Sequence, residues 1–280
     1  MQIPFWQELG IDPILLGQPK LWIYPSDTNY LVNTLGVAPT NGNILNLFNR
    51  FNDAAFNPTQ ASTTNRAIYS VLAGQPHPYG YVRWAGGTLT ANGYYRVGTT
   101  SDFSFMHKLN EGCTVYWINK NDSTENTGTT KVIAANIVSS SSIGAILAIE
   151  NTSSTLRKRA LTVYNGNIGA PTFSLTESST YTRTNDYPVR LDSIRYDLSK
   201  SVGQDCAWWY VNGILDSTVT MQNAPSASAT SSFVMNVGNR NSSGLRNCGN
   251  MGDFIIFNAV HDEATHLKVC NFLKRKWRIS

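Results

Sequence analysis

Apolar positions along the 280-residue chain come in short runs separated by Gly, Asn, Ser, Asp and Pro, a rhythm that suits strands and turns better than helices. Leu21, Trp22, Ile23 and Tyr24 form a first strand candidate, closed by the turn residues Pro25, Ser26 and Asp27. Residues 28–67 carry no clear period and predict loops wrapped over a sandwich edge. Strand-like runs then recur at 79–84, 113–119, 131–137, 143–150, 160–164, 189–196, 206–211, 214–219, 233–237 and 254–257. Between two of them stand Asn212 and Gly213, the pair that most readily supplies the positive φ angles of a two-residue hairpin turn. The small-residue stretches 139–142 and 226–232 read as further hairpin loops. From Asp262 the period lengthens: Leu267, Cys270, Leu273 and Trp277 recur every three or four residues, with Asp262 and Glu263 at the opening and Lys274, Arg275 and Lys276 at the close. That predicts one amphipathic helix whose charges complement its dipole.

Residues 1–20 differ from the rest. Apolar segments at 4–9 and 14–16 are broken by Pro13 and Pro19, which forbid a long helix and predict an arm leading into one domain over 21–280. The expected class is all-β: a two-sheet antiparallel jelly-roll sandwich with an N-terminal arm and a C-terminal amphipathic helix. The arm has no basic segment followed by an apolar one, so it does not read as an export signal, and no run approaches the length of a membrane span.

The net charge of +4 raises the question of nucleic acid, and its distribution answers against it. Seven of the 22 basic residues lie in the clusters Arg157 to Arg159 and Lys274 to Arg278; without those seven, 15 basic face 18 acidic residues. The second cluster is explained by the helix dipole, and the first is expected in a solvated turn between strands. Cys113, Cys206, Cys248 and Cys270 show no short pair spacing and read as buried thiols. His77, His107, His261 and His266 offer no metal-ligand spacing, since the five-residue gap of the last two is wrong for one helical face, and read as surface or hydrogen-bonded structural residues.

Catalysis finds little to work with. The six glutamates are far apart and none has Asp two residues on, while Asp192 and Asp197 fall on opposite faces of one strand. A catalytic pair drawn from distant strands is left open. Sugar binding needs a flat apolar plate beside polar groups, and 7 Trp and 13 Tyr supply material. Trp208 and Trp209 are adjacent on a predicted strand, so one must face away from the core unless both sheet faces are covered. Trp84, Tyr94 and Tyr95 are further candidates.

Four blocks resemble the laminin-G-like branch of the concanavalin A-like lectin and glucanase superfamily: the segment from Leu21 to Asp27; the stretch from Thr59 through Asn65 and Arg66 to Tyr81, Val82, Arg83 and Trp84; Phe103 to His107 with Thr114 to Trp117; and the Tyr210 to Leu215 hairpin with Gly252 to Asn258 and the helix ending at Trp277. Residues 110–205 match least. The resemblance implies a jelly roll that hosts lectins, hydrolases and architectural modules alike. Relatives sometimes hold calcium, but the sequence names no ligands for it, and no cofactor or metal is expected.

The leading expectation is a non-enzymatic virion component, a phage-type capsid decoration, head-fibre or tail-associated protein made in the host cytoplasm. Its arm would dock on a capsid or tail partner through Phe5, Trp6, Ile14, Leu15 and Leu16, and its exposed surface would hold cell-surface glycans weakly. A homo-oligomer is expected, with neither nucleic acid nor membrane as partner. The alternatives are a free carbohydrate-binding lectin module and a divergent glycoside hydrolase or lyase.

Overall fold

The computed structural model describes residues 19–23, 31–32, 42–43, 46–47, 68–70, 81–84, 95–120, 130–137, 139–151, 156–167, 169–182, 188–238 and 249–280. In chain order the strands are β1 (Leu21–Ile23), β2 (Leu31–Val32), β3 (Gly42–Asn43), β4 (Asn46–Leu47), β5 (Ile68–Ser70), β6 (Tyr81–Trp84), β7 (Tyr95–Val97), β8 (Gly112–Lys120), β9 (Lys131–Ala135) and β10 (Ile143–Asn151). They continue with β11 (Leu156–Asn165), β12 (Pro171–Thr176), β13 (Tyr181–Thr182), β14 (Arg190–Asp197), β15 (Asp205–Val211), β16 (Ile214–Thr220), β17 (Met235–Val237) and β18 (Gly249–Phe257), and a helix over Glu263–Trp277 ends the chain.

Among the described residues these build two large antiparallel sheets and a separate two-stranded pair, β2 with β4. One has nine strands in the order β16-β15-β14-β8-β18-β6-β5-β3, with β1 also paired to β18. The other has seven in the order β12-β11-β10-β9-β17-β7, with β13 paired to β11. The all-β sandwich with one C-terminal helix is thus the fold observed.

Strand alternation explains the layering. Along β14, Ile194 and Tyr196 point into the core between the sheets, whereas Leu191 joins a second cluster with Val269, Cys270, Phe272, Leu273 and Trp277 of the helix. In the same way β8 gives Cys113, Val115 and Trp117 to the inner core and Tyr116 and Ile118 to the helix side. A central strand covered on both faces has no solvent side, which is why residues 113–118 read as one nearly continuous apolar run.

Every strand-like run of the sequence contains a strand, and Asn212 (φ 51) and Gly213 (φ 81) make the expected hairpin turn. Four details differ. The first is a set of strands that the pattern did not announce: β5, β7, β12 and β13, together with the short strands β2, β3 and β4 within 28–67. Residues 226–232 connect β16 of one sheet to β17 of the other, so they cross between layers and do not close a hairpin. Arg157 to Arg159 lie within β11, with Arg157 and Arg159 buried, because the long hairpin β10–β11 carries the chain past the expected turn. The fourth concerns the helix: Cys270, Leu273 and Trp277 are buried as expected, but His266 takes the inward place one turn before Cys270 and leaves Leu267 38% exposed. Cys113, Cys206 and Cys270 are buried free thiols as expected, while Cys248 and His77 lie outside the described residues.

The helix is fixed at both ends. Asp262 caps its start by accepting from the Thr265 amide at 2.7 Å, and Arg278 in the left-handed region closes it, the Arg278 and Ile279 amides bonding the carbonyls of Arg275 and Lys274. Its last turn rests on β18 at Gly252, where an added Cβ would meet the Trp277 ring at 2.6 Å and Ile118 at 2.9 Å. Gly252→Ala is therefore expected to cost about 1–3 kcal/mol through overpacking, read as a lower thermal midpoint with the secondary structure unchanged.

Candidate functional site

The outer face of the nine-stranded sheet is only partly covered by the helix. Beside the helix start, β14 contributes Arg195, β15 contributes Trp208 and Tyr210, and β16 contributes Thr218, with Arg195 and Thr218 opposite Trp208 on its two neighbouring strands. Trp208 is half-buried, and the Arg195 guanidinium lies 5.8 Å from its ring centroid and 5.0 Å from that of Tyr210. Arg195 is held in place by three acceptors: Nη1 donates to the His261 carbonyl at 2.9 Å, and Nη2 donates to the Glu263 carboxylate at 2.5 Å and to the Tyr210 hydroxyl. The result is an aromatic plate flanked by a fixed cation, an exposed carboxylate and a threonine hydroxyl.

Beneath this surface a buried polar layer pins the helix start. Tyr116 Oη shares a hydrogen bond with His261 Nδ1 at 2.8 Å, and Ser193 Oγ shares one with His266 Nε2 at 2.9 Å, with Cys270 Sγ 3.4 Å from the same nitrogen. The His266 ring stacks on Tyr116 with centroids 5.5 Å apart and lies 4.1 Å from Tyr210. Burial holds both imidazoles down, His261 to about 4 and His266 to about 3, and the Arg195 charge adds to the effect. Burial pushes the Cys270 thiol up to about 12, far from a reactive thiolate at neutral pH. The five-residue spacing that argued against a metal thus places both histidines around one tyrosine, because His261 precedes the helix instead of lying on it.

A second polar cluster sits between the sheets, where the sequence promised only apolar core. Arg159 of β11, Arg190 and Asp192 of β14 and Glu177 after β12 form a buried ion network. Glu177 Oε2 accepts from Arg190 Nη2 at 2.7 Å and Arg159 Nη1 at 3.3 Å, and its Oε1 accepts the Arg159 amide at 2.6 Å. Asp192 accepts from Arg190, from Asn119 Nδ2 at 2.6 Å and from Trp209 Nε1 at 3.0 Å, with Arg159 Nε 3.7 Å away. Burial alone would raise the Asp192 carboxyl, but Arg190 and Arg159 outweigh it and hold it below its ordinary value. Two carboxylates from distant strands do converge here, yet arginine bonds saturate both and neither has an exposed edge.

Of the aromatic candidates, Trp208 is the one whose described side chain reaches the surface. Trp209 is fully buried, edge-on to Trp117 with centroids 5.4 Å apart, and Tyr95 is fully buried in the core, so neither presents a plate to solvent. Trp84 lies in β6 with its side chain outside the described residues, as are Tyr94 and the arm residues Phe5, Trp6, Ile14, Leu15 and Leu16. Arg195, Tyr210 and Glu263 were not singled out by sequence. Tyr210 could have been, since it stands two residues after Trp208 and so shares its face; Arg195 and Glu263 join it only through tertiary structure. Among the described residues no group of three or more His, Cys, Asp or Glu is placed to hold a metal ion.

No protein-family model matches the chain, and no curated protein matches it. Among solved structures it is similar to the botulinum neurotoxin serotype G binding domain, with 11% identity and a TM-score of 0.51 over 92% of this chain and 51% of that one. It is also similar to the receptor-binding domain of botulinum neurotoxin C/D mosaic serotype, with 12% identity, a TM-score of 0.48 and coverage of 91% and 51%. A third is the Ruminococcus gnavus IT-sialidase CBM40 bound to α2,6-sialyllactose, with 12% identity, a TM-score of 0.46 and coverage of 68% and 96%. The chain spans about half the length of the neurotoxin domains it matches. At such identities the likeness shows the sandwich fold alone.

Proposed function

We propose that this chain is a non-catalytic binding module that recognises a glycan on the outer sheet face around Trp208. The observation that carries the reading is the plate itself: a half-buried indole with a guanidinium held beside it and a carboxylate and a hydroxyl at its margin. Sugars offer one apolar ring face and a rim of hydroxyls, and this arrangement supplies a stacking surface with donors and acceptors around it. Arg195 enters binding already ordered by its three acceptors, which lowers the entropy cost of contact. The buried pair Glu177 and Asp192 is unsuited to glycoside hydrolysis, which needs one carboxyl protonated and both facing the sugar. A virus particle remains the setting we propose, with the arm on a capsid or tail partner; this part rests on the sequence reading and draws no support from the structural likeness.

A glycan array followed by calorimetry on the best ligand tests the site. Trp208→Ala is expected to weaken binding about tenfold or more, equivalent to about 1.4 kcal/mol, with little change in thermal midpoint because Trp208 lies outside the core. Unchanged affinity in that variant, or no glycan bound by the native chain, would refute the assignment. Polysaccharide cleavage that disappears on changing a single carboxylate, in a variant whose thermal midpoint is unchanged, would establish the hydrolase alternative instead.

A further inference from the structure

His266 lies near the start of the helix with its ring buried, and its two nitrogens differ in what they meet. Nε2 has Ser193 Oγ at 2.9 Å and Cys270 Sγ at 3.4 Å, whereas Nδ1 is buried and faces no hydrogen-bond partner among the described residues. With its proton on Nε2 the neutral ring leaves only a lone pair unmatched on Nδ1, but an imidazolium would place a second N–H and a full charge there. The surroundings do not welcome that charge. β8 presents the Tyr116 ring, β14 presents Ser193 and the Arg195 guanidinium, β15 presents the Tyr210 ring at 4.1 Å, and His261 stands just before the helix. The carboxylates of this region are engaged elsewhere, Glu263 with Arg195 and Asp262 with the Thr265 amide. Letting water reach Nδ1 therefore means moving the helix start. That same segment supplies the His261 carbonyl and the Glu263 carboxylate, two of the three acceptors that fix Arg195 beside Trp208.

We propose that His266 is an acid-operated catch on the Trp208 site: when it takes a proton the segment 261–267 opens locally and lets go of Arg195, and a bound glycan is released. The release rests on the glycan reading, and the movement does not. Burial holds the folded His266 imidazole down to about 3, with Arg195 and His261 adding to the effect, so the closed form binds a proton poorly. The open segment binds it at the ordinary 6.5. Opening is thus insensitive to pH above 6.5 and favoured as pH falls below it. Between pH 7.5 and pH 5 the opening constant grows about thirtyfold for each imidazole set free, and His261 leaves its place with the same segment.

Amide hydrogen exchange read by mass spectrometry on the full chain, without ligand, tests the movement. After correction for the pH dependence of chemical exchange, the segment 261–270 is expected to be less protected than β8 and to lose about thirtyfold or more of its protection between pH 7.5 and pH 5. His266→Phe keeps a ring against Tyr116 and Tyr210 but takes no proton, and is expected to remove about thirtyfold of that loss. His266→Gln, which keeps a polar partner for Ser193, is expected to do the same and covers the case in which phenylalanine disturbs the packing. A glycan array run at both pH values reads the release: the native chain is expected to lose about tenfold or more of its bound signal at pH 5, and the His266→Phe chain to keep most of it. Protection of 261–270 that does not depend on pH, a dependence unchanged in both variants, or equal protection of 261–270 and β8 at pH 5 each overturns the proposal. So do glycans still held at pH 5 with the helix start open. Because exchange is read without ligand, its failure leaves the glycan reading standing, and an array blank at both pH values refutes that reading alone.

Discussion

Replacing Asp253 with alanine is expected to lower stability by about 3–5 kcal/mol, seen as a large fall in the urea midpoint, because it strips a buried lysine of its counter-charge. Asp253 is fully buried on β18 and accepts from Trp22 Nε1 at 3.0 Å, Lys276 Nζ at 2.6 Å and Trp277 Nε1 at 2.6 Å. One carboxylate thereby joins β1, β18 and the last helical turn. Its removal leaves two indole N–H groups without this acceptor and the buried Lys276 ammonium without this neutralising partner. Asp253→Asn, which keeps an acceptor of the same shape, is expected to cost less than the alanine change. Asp253→Leu combined with Lys276→Met is expected to recover part of the loss, since an apolar pair carries no desolvation penalty. A midpoint that barely moves in Asp253→Ala would show that the helix end is held by apolar packing alone.

The second large effect is acid lability. Burial holds the His107 imidazole down to about 4, His261 to about 4 and His266 to about 3, against an ordinary 6.5. Each therefore takes a proton in the unfolded chain near pH 6.5 and in the folded chain only at those lower values. The sign follows: their contribution is complete above pH 6.5 and is lost as pH falls toward 4, by about 1.4 kcal/mol per pH unit for each histidine. Glu150, whose carboxyl burial pushes up, opposes this with a single group. Denaturant unfolding at pH 7 and pH 5 is expected to differ by on the order of 5 kcal/mol. The dependence starts well above the range where Asp192, Asp197 and Asp262, all held below their ordinary values, begin to protonate. Equal stability at the two pH values would mean that these imidazoles are not kept neutral by the fold.

Much of the architecture was legible because alternation, turn chemistry and helical period are local properties. The Asn212 and Gly213 turn, the central strand β8 and the capped helix each follow from a few neighbouring residues. Local reading erred where a residue's partner lay far along the chain. Lys276 reads as one more cation at a helix end, yet it turns inward to a carboxylate 23 positions earlier. Arg159 reads as part of a solvated basic turn, yet β10 and β11 pair for nine positions and carry it between the sheets to Glu177. Asp192 was weighed only against Asp197, its neighbour in sequence, while its partners come from β8, β11 and β15.

The same division governs the candidate site. Alternation required Trp208 and Trp209 to take opposite faces, and they do, one toward Arg195 and one into the core. Sequence by itself determined that split, together with the all-β class, the hairpin and the helix, since each depends on the spacing of residues within one element. Which tryptophan faced outward, which charges were buried and which side chains gathered beside the plate were decided only by tertiary structure. Those outcomes depend on which strands become neighbours and which sheet face the helix covers, and long-range packing sets both.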